Sequence, residues 1–195
     1  MINHQYMQKI ALASASPRRR ELLAQLAVNF ELVKADVDET QLPGELATDY
    51  VLRLAISKAR AGFNVQTQTV TEVLPVLGAD TIVVVDGEVL GKPKDQQDFL
   101  RMMRLLSGRQ HQVYTAIALV SGDSVLSDTV KTDVWFSALT EAQMLDYWHS
   151  GEPADKAGGY GIQGLASRFI PKIAGSYFAV VGLPLYETDQ LLQQL

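Results

Sequence analysis

The chain has no cysteine, which excludes a disulfide framework, a thiolate nucleophile and a zinc–thiolate site. Histidine is nearly as scarce: His4, His111 and His149 are spaced too widely for a histidine-based zinc site. No apolar run approaches the roughly 18 residues of a membrane span. The opening Met1-Ile-Asn-His-Gln-Tyr lacks the charged segment and long apolar segment of a signal peptide, so the cytoplasm is the expected location. Positive charge is not in excess either. Lys and Arg number 17 against 22 Asp and Glu, a net charge of −5, so nothing draws the whole molecule to nucleic acid or to an anionic membrane. Internal repeats and low-complexity tails are absent. What remains is ordinary globular material: 195 residues, 47% apolar and 20% charged, enough for one domain with a full core or two small lobes sharing a cleft.

Against this background one stretch stands out, Lys9-Ile-Ala-Leu-Ala-Ser14-Ala-Ser16-Pro17-Arg18-Arg19-Arg20-Glu21-Leu22-Leu23. The run 10–13 reads as a buried strand. Ser16 is a good N-cap and Pro17 suits the first helical position. Leu22, Leu23 and Leu26 then give a helix its apolar face. Arg18, Arg19 and Arg20 fall in the first turn, where the helix dipole is already positive, at a cost of roughly 0.3–1 kcal/mol per charge. An anion held by free N–H groups, serine hydroxyls and guanidinium forks would offset that cost, which points to a polyphosphate site. A solvated basic turn is the plainer alternative.

Other polar residues sit where they need partners. Asp36, Asp38 and Glu39 crowd three carboxylates into four residues after a predicted strand over 30–34, an arrangement that calls for a basic group or a cation such as Mg²⁺ or Mn²⁺, or else for a solvated acidic loop. A helix is predicted over 48–60 with Thr48 as cap. Lys58 lies on the face of Val51, Leu54 and Ala55, so it needs an anionic partner unless it snorkels outward. Residues 66–72 read as a polar connector. Next comes the most β-like segment, 76–93, folded back at Asp86-Gly87 as a hairpin. Asp80 stands mid-strand among apolar neighbours. Counting back from the turn places Lys92 opposite Thr81, one residue away, as for a general base or metal ligand beside a phosphate site, or for a structural Asp–Lys pair.

Further on, Asp95 caps a helix ended by Ser107-Gly108, strands are predicted over 112–120 and 127–136, and Thr140-Glu-Ala-Gln143 is a capping box with Met144, Leu145 and Trp148 inward. Asp155–Gly164 holds four glycines in ten residues. Tyr160 could stack and Gln163 could read a base edge there, or the segment could be a plain connector. Strands over 169–173 and 177–181 and a helix over 185–195 complete the pattern.

Taken together, Ser14-Ala-Ser16-Pro17-Arg18-Arg19, Asp38-Glu39, Lys58-Ala59, Gly78-Ala79-Asp80-Thr81, Gly91-Lys92-Pro93, Ser107-Gly108 with His111-Gln112-Val113-Tyr114-Thr115, Lys156-Ala157-Gly158 with Tyr160-Gly161-Ile162-Gln163-Gly164, and Val181-Gly182-Leu183-Pro184 resemble the Maf family of nucleoside triphosphate pyrophosphatases over nearly the whole chain. The resemblance implies an α/β fold related to inosine triphosphate pyrophosphatases, a long mixed sheet flanked by helices, with one domain over 1–195 whose two lobes enclose the active site in a central cleft. It implies hydrolysis between the α and β phosphorus atoms with a divalent metal (Mg, Mn or Co). Asp80, Lys58 and Arg19 would be catalytic, with Asp80 as general base. Ser14, Arg18, Arg19, Lys58, Thr81, Lys92 and Gln163 would bind substrate, and Glu39 and Asp80 would hold the metal. Arg18, Thr81 and Gln163 match the branch that prefers dTTP, UTP and modified uridine triphosphates over 7-methyl-GTP. Gly159 departs from the alanine common in that branch. A homodimer, and as the alternative function a nucleotide-binding regulator of septum formation and cell division with little turnover, also follow from the resemblance.

Overall fold

The computed structural model describes residues 8–195; the opening hexapeptide and His4 lie outside the described residues. In chain order the elements are β1 (Ile10–Ala13), α1 (Pro17–Gln25), β2 (Phe30–Leu32), α2 (Ala47–Thr69), β3 (Val76–Val85), β4 (Glu88–Leu90), α3 (Gln96–Leu106), β5 (Gln110–Ser121), β6 (Ser124–Trp135), α4 (Glu141–His149), β7 (Lys172–Ala174), α5 (Tyr177–Val181) and α6 (Leu185–Leu192). Short 3₁₀ turns cover Glu152–Asp155, Ala157–Gly159 and Leu165–Phe169. The strands make one mixed sheet in the order β2-β1-β3-β5-β6-β7, with β4 added on β3. β1 runs parallel to both β2 and β3, while β3–β4 and β6–β7 are antiparallel. This is the expected α/β class. No helix among the described residues is long and apolar enough to cross a membrane.

The chain divides into two compact units. The first takes the described residues up to Asp80, with Thr115–Val130 and Gly182–Leu195. Its core is built about α2, β1 and β3: Val51, Leu54 and Ala55 of the helix are buried, as are Ala11, Ala13 and Val76 on the strand face that α2 covers and Ile10, Leu12 and Leu77 on the opposite face. The approach is close because Gly78 has no side chain; a Cβ there would meet the Ala55 carbonyl and come within 2.6 Å of the Ala59 nitrogen. The helix also runs longer than the predicted 48–60. It begins at Ala47 with Leu46, not Thr48, in the cap position, and it takes in residues 66–69, read from sequence as connector. Gln66 explains the extension. It is buried at 3% exposure, and its amide exchanges two hydrogen bonds with the backbone of Leu74, so a polar residue stays inside.

The second unit comprises Thr81–Tyr114 and Lys131–Val181. Phe99, Met102, Met103 and Leu106 of α3, with Tyr147 of α4, Phe136, Tyr160 and Phe169, form its core. Asp95 caps α3 by accepting from the Asp98 amide, and Thr140 and Gln143 make both halves of the capping box of α4, as expected. Met144 and Tyr147 are the buried residues of α4; Leu145 and Trp148, expected inward, are half-buried. Residues 177–181 form α5, not a strand. Their apolar, aromatic composition suits either element, but Ser176 Oγ accepts from the Ala179 amide at 3.1 Å and starts a helical turn. Tyr160, read as a stacking ring, is core as well. Its hydroxyl lies 2.6 Å from His111 Nε2, and its ring packs edge-on against Phe136. His111 is fully buried, and Nδ1 has no hydrogen-bond partner among the described residues. Burial holds its imidazole down to about 4.

Candidate active site

β1 ends at Ala13, paired with Gly78, so Ser14 follows the carboxyl end of β1, and Asp80 lies on the neighbouring parallel strand β3 two residues beyond the last residue that pairs with β1. In open α/β sheets this is where ligands are received. Ser14 turns the chain into α1: its hydroxyl accepts from the Ser16 amide at 3.2 Å and from Arg19 at 3.4 Å. Ser16 takes the cap position and Pro17 follows, as expected, but the Ser16 side chain makes no capping bond. The first turn of α1 carries no acidic residue to balance its three arginines. Arg19 also donates Nε–H to the Gly182 carbonyl at 2.8 Å, anchoring it to the segment before α6. Burial lowers its pKa, opposed by the carboxylates of Asp80 and Glu39 and reinforced by Arg18. Arg18 is half-buried and Arg20 exposed.

Asp80 is 7% exposed on β3. The lysine beside it is Lys58, not Lys92: the ammonium of Lys58 lies 2.7 Å from Asp80 Oδ1 and 2.7 Å from Glu39 Oε1. With its side chain only 13% exposed, Lys58 does not snorkel. The β3–β4 ladder explains the difference. It runs in the expected register but stops at Val83–Leu90, so Lys92 lies two residues beyond it and is exposed. The Asp86-Gly87 turn itself forms as expected, with φ of 51° and 80°.

The crowded acidic loop resolves into separate tasks. Asp36 pairs with Lys34 at 2.8 Å, Asp38 Oδ1 accepts from the Thr40 amide, and Glu39 turns to Lys58. What holds the loop went unnoticed in the sequence. Tyr50 donates its hydroxyl to the Glu39 carbonyl at 2.6 Å. Arg53 binds both oxygens of Glu45 at 2.6 and 2.8 Å and reaches the Thr40 carbonyl at 3.1 Å. The Arg53 fork holds Glu45 down to about 2. The only trace in sequence is an acid before the helix and a base within it, which names no loop geometry.

In the second unit, Thr81 is half-buried on β3 and Gln163 is exposed in a turn. The Gly158 amide donates to the Gly91 carbonyl at 2.9 Å, which brings the glycine segment beside the residue that precedes Lys92. The structure thus gathers Ser14, Arg19, Lys58, Asp80 and Glu39 in the first unit, and Thr81, Lys92 and Gln163 belong to the second.

Two carboxylates converging on one cation position beside a basic helix start suit phosphate chemistry. Comparison with known proteins agrees. Residues 9–195 match the model of the family described as Maf-like protein. A protein of Pseudoalteromonas translucida named dTTP/UTP pyrophosphatase is 56% identical over 94% of this chain and 95% of its own. Proteins of the same name from Vibrio parahaemolyticus and Photobacterium profundum are each 54% identical over 95% of this chain, covering 96% and 95% of theirs. The chain belongs to the Maf family.

Proposed function

We propose that this chain is a nucleoside triphosphate pyrophosphatase that hydrolyses dTTP, UTP and modified uridine triphosphates to the monophosphate and diphosphate, clearing them from the nucleotide pool. The observation that carries this reading is the Lys58 ammonium set 2.7 Å from both Asp80 and Glu39, in a chain whose relatives are named for that activity. Arg19, Ser14, Arg18 and Lys58 take the phosphate oxygens, with Lys92 added by the family resemblance. Lys58 engages Oδ1 of Asp80 and fixes the carboxylate, which accepts the proton of the attacking water. The water oxygen bonds the α phosphorus, its bond to the oxygen bridging to the β phosphorus breaks, and diphosphate leaves with the electron pair as the monophosphate forms.

Asp80 and Glu39 fit a divalent cation. Among the described residues no third histidine or carboxylate joins them, and Mg²⁺ is commonly held by one or two carboxylates with substrate phosphates and water completing its shell. Mn²⁺ or Co²⁺ would be held alike. When bound, the cation neutralises charge developing on the phosphate oxygens. Arg18, Thr81 and Gln163 select the base. The two units serve as one enzymatic domain, working in the cytoplasm as a homodimer.

The test is Asp80→Asn, which keeps the shape and a hydrogen-bond acceptor for Lys58 but takes no proton. A folded variant without diphosphate release is expected; a folded variant with full turnover removes Asp80 from the mechanism and revives a role in binding alone.

A further inference from the structure

The turn that carries Gln163 is tied down on both flanks by a residue the catalytic reading does not use. The Gly164 amide donates to the Gly161 carbonyl at 3.1 Å, so Ile162 and Gln163 are its central residues. On one side, the Leu165 amide donates to Glu152 Oε2 at 2.8 Å. On the other, the Gly161 amide donates to the Tyr147 phenol oxygen at 3.2 Å, and that phenol donates to Glu152 Oε1 at 2.7 Å. One carboxylate therefore holds both ends, directly and through Tyr147. Its own backbone is held in turn, since Lys156 donates to the Glu152 carbonyl and to Asp155, each at 2.7 Å. The glycine at 164 follows from this contact: a Cβ there would fall on the Glu152 carboxylate. Tyr147 is fully buried, and burial with the bond to Glu152 pushes its phenol upward, so it remains a donor.

We propose that Glu152 is a positioning residue for base selection, fixing the turn that presents Gln163 and taking no part in the phosphate chemistry. The inference rests on assigning base reading to Gln163, and the experiment separates the two. Glu152→Gln, Tyr147→Phe, Gln163→Ala and the double variant Glu152→Gln with Gln163→Ala are compared for kcat and KM on dTTP, UTP and CTP. Amide hydrogen exchange over 160–166 is followed in parallel. Glu152→Gln leaves one acceptor for two donors, and Tyr147→Phe keeps the ring in the core while releasing Gly161.

Both should speed exchange at Gly161 or Leu165 and lower the preference for dTTP over CTP by about tenfold, through KM, with kcat on dTTP changed by no more than about threefold. The double variant should discriminate no worse than Gln163→Ala alone. Unchanged exchange at both amides, an equal loss on every nucleotide, or an additive double variant overturns the clamp while Gln163 keeps its role. A Gln163→Ala protein with unaltered preference overturns the reading of Gln163 itself.

Discussion

Gly78→Ala tests how the fold delivers Lys58 to Asp80. The new Cβ would press on the Ala55 carbonyl and lie 2.6 Å from the Ala59 nitrogen, where ordinary contact needs 3.4–4 Å. Both obstacles are backbone of α2, which cannot rotate aside, so the helix must retreat from β3 by about 1 Å. Overpacking of this kind costs about 1–3 kcal/mol. For a chain of this length that corresponds to a Tm lower by about 2–12 °C. The retreat moves the segment bearing Lys58, and a 1 Å misplacement near reacting groups can cost about 100-fold in rate. The flexible lysine stem can recover part of the distance, so thermal denaturation is the primary readout and diphosphate release the second. Gly91→Ala is the control, since a Cβ there meets nothing within 4 Å; it should stay within about 2 °C of the parent. A Gly78→Ala protein with unchanged Tm and turnover would refute the close packing of α2 on β3 as the source of the site.

Two other expectations follow from named contacts. His111 titrates at about 4 in the folded chain against 6.5 unfolded, so above 6.5 it is neutral in both states and without effect. As pH falls from 6.5 toward 4 only the unfolded chain gains the proton, and about 2 kcal/mol of stability is lost by pH 5; denaturant unfolding of the parent and His111→Gln should converge over that window, and parallel curves would contradict it. Arg53→Ala frees the loop bearing Glu39, and calorimetric titration with Mn²⁺ should show affinity reduced about 10–100-fold, whereas unaltered affinity would leave Arg53 with no part in holding Glu39.

Much of the scaffold was legible because local chemistry decides it. The strand over 10–13 with Pro17 behind it, the Asp86-Gly87 turn, the Asp95 cap and the Thr140–Gln143 box all act within a few residues of themselves. Lys58 was legible as an inward lysine by helical spacing, but its partner was not. The hairpin register counted correctly to Lys92, yet the ladder stops at Leu90, and the neighbour of Asp80 arrives from α2, 22 residues earlier. Burial of Tyr160 against His111 and of Gln66 against Leu74 depends on partners 49 and 8 residues away, which no local pattern displays. Residues 177–181 misled for a different reason: an apolar run of five fits either element, and the deciding signal was the serine before it.

The most direct measurement is diphosphate release from dTTP, UTP, CTP, ATP, GTP and 7-methyl-GTP, each with Mg²⁺ or Mn²⁺ and again with the metal chelated. Release from dTTP and UTP above the others, abolished by chelation, is the expected result. Preference for 7-methyl-GTP would keep the chemistry and overturn the roles of Arg18, Thr81 and Gln163, and no release from any nucleotide would contradict catalysis by Asp80, Lys58 and Arg19 altogether.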